Sequence, residues 1–122
     1  MDLPITGERL TVLSPGPFVL VLGAGAYEIH IEGELVLHRT GASTLHHIAG
    51  EAPAEDLAVA LDGVIVSAAV DSDGTLRMLL DSGAQLAVEP DRYYEAWHVT
   101  APGIYLVVCM PGGELAIWSE KS

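Results

Sequence analysis

The stretch from Val64 to Val88, VIVSAAVDSDGTLRMLLDSGAQLAV, constrains this chain more than any other. Its apolar residues fall into register if three antiparallel strands are joined by Ser72-Asp73-Gly74 and Asp81-Ser82-Gly83. A three-residue hairpin loop ending in Gly is a type I turn followed by a bulge, because glycine takes the left-handed position without strain. Side chains along a strand alternate between faces, so this register groups Val70, Leu76 and Val88 in one row. Ala68, Met78 and Leu86 form a second row, and Val66, Leu80 and Ala84 a third. The result is a β meander with one layered core face. Its other face carries Ile65, Ala69, Leu79 and Ala87 among polar residues. That mixture predicts a covering layer, either the helix, a second sheet or another subunit.

Strand signals recur on both sides of the meander. Leu10 and Val12 alternate with polar neighbours, Ser14-Pro15-Gly16-Pro17 breaks the chain, and Phe18 to Leu22 is an apolar run of strand length. A loop over Gly23 to Ala26 would set Leu22 opposite Tyr27, Leu20 opposite Ile29 and Phe18 opposite Ile31. The chain then turns near Glu32-Gly33-Glu34 and returns through Leu35 and Leu37. The segments LVLGAGAYEIHIEG and MLLDSGAQLAVEP align with one gap, a weak internal repeat of strand, Gly-containing loop and strand. Thr44 to Ile48 reads as a short strand. Pro53 suits the first turn of a helix running to Leu61, with Glu55 and Asp56 at its positive end and Asp62-Gly63 as its stop.

Beyond Pro90-Asp91, Tyr93 to Val99 reads as a strand, and Ala101-Pro102-Gly103 turns it into Ile104 to Met110. Pro111-Gly112 suits the centre of a type II turn. That turn would set Leu106 against Ile117 and Val108 against Leu115 on one face, with Tyr105 against Trp118 and Cys109 against Glu114 on the other. The expected fold is mainly β: antiparallel meanders forming a barrel-like or sandwich structure with one short helix near 53–61. At 122 residues, one domain spanning 1–122 is expected.

Composition narrows the function. A formal charge of −12 argues against nucleic acid, whose recognition needs Lys and Arg, and favours a basic partner. No apolar run approaches the roughly 20 residues that span a bilayer. Met1-Asp2-Leu3-Pro4 lacks the start of a signal peptide, and Cys109 is the single cysteine, so a cytoplasmic protein without disulfides is expected.

The residues that suggest chemistry have plainer readings. Val19 to Ala26 resembles the opening of a dinucleotide-binding loop, yet Glu28 stands where the third glycine belongs and Glu28-Ile29-His30-Ile31 alternates like a strand. Asp71-Ser72-Asp73-Gly74 opens like a calcium loop without its later acidic ligands, which makes it a turn. A register pairing Ile31 with Leu35 would bring Glu28, His30 and His38 together as zinc ligands, against the plainer reading of solvated side chains. Cys109 and His98 would form a nucleophile and base only with an orienting group that the sequence does not supply. The expectation is therefore no enzyme, no cofactor and no metal.

Leu57 to Gly63, Gly74-Thr75-Leu76, Ser82 to Val88, Tyr94-Glu95-Ala96-Trp97 and Pro111-Gly112-Gly113-Glu114-Leu115-Ala116-Ile117-Trp118 resemble a family of small bacterial proteins of unknown function. The resemblance covers about the last half of the chain, and Trp97, Gly112, Gly113 and Trp118 read physically as core and turn positions. Some similar proteins look like immunity proteins that neutralise a toxin encoded nearby. That implies a module docking on a basic toxin through acidic turns and strand ends, for which Glu28, Glu32, Glu34, Asp91, Glu95 and Glu114 are the candidates. Two alternatives stand beside it: a small-ligand barrel whose pocket is lined by Tyr94, Trp97, Tyr105 and Trp118, and a structural homodimer.

Overall fold

A computed structural model describes residues 1–119. Its strands are β1 (Arg9–Ser14), β2 (Leu20–Ala24), β3 (Tyr27–Ile31), β4 (Glu34–His38), β5 (Leu45–Ile48), β6 (Gly63–Val70), β7 (Leu76–Leu80), β8 (Gln85–Val88), β9 (Trp97–Ala101), β10 (Tyr105–Cys109) and β11 (Leu115–Ser119), with one helix, α1 (Leu57–Ala60). All strand pairs are antiparallel, in the order β11-β10-β9-β3-β2-β1-β6-β7-β8-β4-β5. Among the described residues, the strand pairing that joins the six strands from β11 to β1 with the five from β6 to β5 is the short β1-β6 ladder, Arg9↔Val64 and Leu10↔Gly63. Buried side chains of both halves form one cluster, so the open sheet is folded over its own core in the barrel-like or sandwich manner expected.

The strand order has an internal two-fold. Exchanging β1–β5 with β6–β10 and reading the order backwards returns the same ten-strand arrangement, with β11 added outside it. The two segments that align in sequence, β2-β3 and β7-β8, sit at equivalent places. After each meander the chain crosses to the opposite half: β4 follows β3 but pairs with β8, and β9 follows β8 but pairs with β3. At the crossing, the amides of Glu32 and Gly33 donate to the Ala96 carbonyl at 2.8 and 2.9 Å. A Cβ on Gly33 would lie 3.1 Å from that of Ala96, close enough that the crossing would have to give by a few tenths of an ångström.

The central meander follows its expected rows at Val70, Leu76, Val88 and at Ala68, Met78, Leu86. Its third row differs. A bulge between Ile65 and Ser67 places Ile65 opposite Leu80 in the core and leaves Val66 49% exposed. The extra residue bends β6 at the corner where it leaves β7 for β1, with the Ile65 amide donating to the Glu8 carbonyl at 2.9 Å. Both three-residue loops form as read, with Gly74 at φ 93° and Gly83 at φ 89°.

Several expected registers shift. The first hairpin closes on Gly25 and Ala26 alone, pairing Leu20 with Ile31 and Leu22 with Ile29, because Gly25 at φ 61° suits the first central position of a turn that matches strand twist. Phe18 is left outside the strand, 85% exposed. No β3-β4 hairpin exists, so Glu28 and His38 lie on different halves. The predicted helix from Pro53 shrinks to α1. Asp56 is its N-cap, accepting from the Ala58 amide at 3.0 Å, while Glu55 is drawn away by Arg39. Leu57 and Leu61 still bury. The strand expected from Tyr93 starts at Trp97, since Tyr93 to Ala96 serve the crossover. Pro111 and Gly112 do take central turn positions, with the Gly113 amide donating to the Met110 carbonyl at 2.9 Å. Gly113 lengthens that loop by one, so Cys109 pairs with Leu115 and Leu106 with Trp118.

Candidate functional site

The outer face of the five-stranded half carries a groove of about 580 Å³. Its floor follows from strand alternation: Val36, Ala87 and Arg77 stand in one cross-strand row, all pointing away from the core. Glu34 enters at the start of β4, directly after the crossing, and Glu89 and Asp91 enter from the returning linker that follows β8. These carboxylates come from two segments far apart in sequence that the crossover brings to one wall. The groove runs on into a shallower depression of about 320 Å³ over Ser67, Ala69 and Leu79, sharing His38 and Arg77. Ala69, Leu79 and Ala87, the half-apolar second face expected from the sequence, therefore line open surface.

Local geometry fixes the groove's wall. The Asp91 carboxylate accepts the Tyr93 amide at 2.8 Å, and the Asp91 carbonyl accepts the Gly112 amide at 2.8 Å, tying the linker to the β10-β11 turn. Burial pushes the Tyr94 hydroxyl above its ordinary pKa, and the nearby Asp91 and Glu32 carboxylates push it further. It stays protonated and able to donate. Arg77 is the groove's guanidinium, and its ion pair with Asp71 holds it charged but spoken for. His46 meets Glu34 at 3.3 Å on the exposed rim. The site thus presents carboxylate acceptors, one phenol and a neutralised cation, a set suited to receiving an ammonium or guanidinium group.

Of the six acidic residues singled out by sequence, Glu34 and Asp91 line this groove and Glu32 acts on its tyrosine. Glu28 and Glu95 instead flank a pair of histidines on the outer face of the other half, and Glu114 stands apart on the β10-β11 turn. Sequence reasoning missed Glu89. Its position immediately after the last core residue of β8, on the same side of the chain as Ala87, was the available signal.

The histidines regroup. His30 stacks on His98, ring centroids 4.3 Å apart and planes 14° from parallel, and its Nε2 lies 2.9 Å from the Glu28 carboxylate. His38 and His46 border the groove, and His47 points into the core. Among the described residues no three His, Cys, Asp or Glu side chains are arranged to hold a metal ion. His98 and Cys109 do not meet: His98 pairs with Val108 on the outer face while Cys109 faces inward, its thiol 3.5 Å from the Gly74 carbonyl. Burial raises the Cys109 pKa, which disfavours a thiolate. The four aromatics proposed to share a pocket are separate. Trp97 is in the core, Tyr105 packs edge-on against Tyr27 at 5.7 Å, Tyr94 borders the groove and Trp118 is exposed on the edge strand.

The matching family model covers residues 1–119, so it takes in both meanders, the crossover and the closing hairpin. The chain belongs to DUF6188, a family of unknown function. No curated protein and no solved structure matches the chain. Membership in DUF6188 assigns no role to any residue, and the Tyr94 to Trp97 segment and Pro111-Gly112-Gly113 turn lie within the matched span. Among the described residues no helix is long and apolar enough to cross a membrane.

One measurable consequence concerns His98. Burial lowers its pKa below the ordinary 6.5, and neighbouring His30 lowers it further against Glu95 and Glu28. The folded state therefore favours the neutral ring. As pH falls through 6.5 the unfolded chain takes up a proton that the folded chain resists, so this contribution to stability is full above 6.5 and declines below it. One proton limits the slope to about 1.4 kcal/mol per pH unit. Urea midpoints are expected to fall between about pH 7.5 and about pH 5.5 in the wild type and to fall less in His98→Asn. Equal slopes would contradict the assignment.

Proposed function

We propose that this DUF6188 protein is a non-catalytic binding module that docks a basic protein in the crossover groove, in the manner of an immunity protein masking a toxin. The observation that carries the reading is the convergence of Glu34, Glu89 and Asp91 around Tyr94, where the one guanidinium of the floor is already paired with Asp71. A net charge of −12 would steer such a partner from a distance, and a Lys or Arg side chain of the partner would enter the groove against the phenol ring. The single buried thiol is in keeping with a cytosolic setting for this encounter.

Electrostatic docking has a distinct signature. The tagged protein, recovered from its native host at low and at moderate salt, is expected to retain one basic protein in stoichiometric amount and to release it as salt rises. Recovery of the bait alone at low salt would count against the reading.

A further inference from the structure

The outer face of the six-stranded half is chemically unlike the groove. Strand register sets Ala116, Val108, His98, His30 and Val21 in one row and Trp118, Leu106, Thr100, Glu28 and Gly23 in the next. In a chain with 17 acidic residues, Glu28 is the one carboxylate in these two rows, and His30 already engages it at 2.9 Å. The rows end on β11, an edge strand whose sequence LAIWS holds no charge and no proline. Trp118 is 50% exposed on this face and Ile117 56% exposed on the other side of the strand. Natural edge strands usually carry charges, prolines or covers against further pairing, and this one carries none of the first two.

We propose that this face is where two copies of the chain associate, about a two-fold axis that sets Glu28 and His30 of one copy against the same pair of the other. Three features select a second copy as the occupant. Two chains each bearing −12 meet most readily where carboxylates are fewest, and the two rows of this face hold Glu28 alone, with Glu95 beside His98 and Glu114 at the hairpin end as its margin. A two-fold contact brings a surface to itself, and a carboxylate acceptor beside an imidazole is complementary to its own image. The acidic groove lies on the outer side of the other half, so in such a dimer both grooves face outward and stay open. An apolar centre built on Leu106, Val108 and Trp118, with Glu28 engaged by His30 and Glu95 and Glu114 at the rim, has the composition of an interface core with a polar border. The inference is independent of whether the groove binds a basic protein.

The test is the mass of the intact protein in solution by sedimentation equilibrium at micromolar concentration. Wild type is expected at twice 12.8 kDa. Leu106→Asp, which places a carboxylate at the centre of the face, is expected to weaken association at least about 100-fold and run as a monomer. Val59→Asp, on the exposed side of α1, is the control that stays dimeric. A wild type that remains at 12.8 kDa, or a dimer that survives Leu106→Asp, overturns the proposal. Should Leu106→Asp fail to fold by circular dichroism, amide exchange on the wild type decides: protection that rises with concentration in β10 and β11 supports the proposal, and its absence there overturns it.

Discussion

Gly74→Ala is expected to destabilise the protein by about 3–5 kcal/mol, from a left-handed backbone that disfavours a side chain and from overpacking. Gly74 sits at φ 93°, and a Cβ there would run into the backbone of Gly113 across the two halves, where nothing flexible can yield. The loop of the central meander and the loop of the closing hairpin touch through two glycines. Gly83→Ala supplies the control. Gly83 has nearly the same φ of 89°, but the nearest atom to its Cβ would be the Thr40 hydroxyl at 3.9 Å. That substitution should cost only the conformational part, about 1–2 kcal/mol. Urea unfolding of both variants separates the two contributions, and equal losses would show that the contact between the loops is not tight.

The second large effect is at Trp97. Its indole is fully buried and donates to the Gly74 carbonyl at 3.0 Å, so the tryptophan that opens β9 clasps the turn of the opposite half. Trp97→Ala is expected to cost about 3–5 kcal/mol through the cavity it leaves. Trp97→Phe keeps most of the ring but removes the donor, leaving the Gly74 carbonyl with the weak Cys109 thiol contact at 3.5 Å, and should cost about 2 kcal/mol. An unchanged unfolding midpoint in Trp97→Phe would mean that the indole N–H is dispensable. Together Gly74, Trp97 and Gly113 lock the crossed halves, which is what keeps the crossover linkers, and with them the groove wall, in place.

Local chemistry made much of this legible in the sequence. Gly74 and Gly83 dictated their loops, and alternation gave two of the three core rows of the central meander. Where the reading slipped, the cause was a choice the local pattern leaves open. Ile65 and Val66 are both apolar, and only the need to turn β6 toward β1 selects the bulge that buries Ile65. Glu32-Gly33-Glu34 looks like any hairpin turn, and only the distant Ala96 carbonyl, which takes both amides, converts it into a crossing. That single long-range event scattered the acidic candidates. It sent Glu34 to one outer face, left Glu28 on the other, and exchanged His38 for His98 as the neighbour of His30. The groove was therefore half visible: its acidic character was in the composition, but its assembly from two linkers was not.

The most direct test of the groove as the docking site compares three tagged proteins in the same capture: wild type, a groove variant with Glu34→Gln, Glu89→Gln and Asp91→Asn, and a control with Glu28→Gln and Glu114→Gln. The groove variant should lose the stoichiometric basic partner while the control retains it, both folding like the wild type. Retention of that partner by the groove variant, at the same salt as the wild type, would contradict docking at the crossover groove.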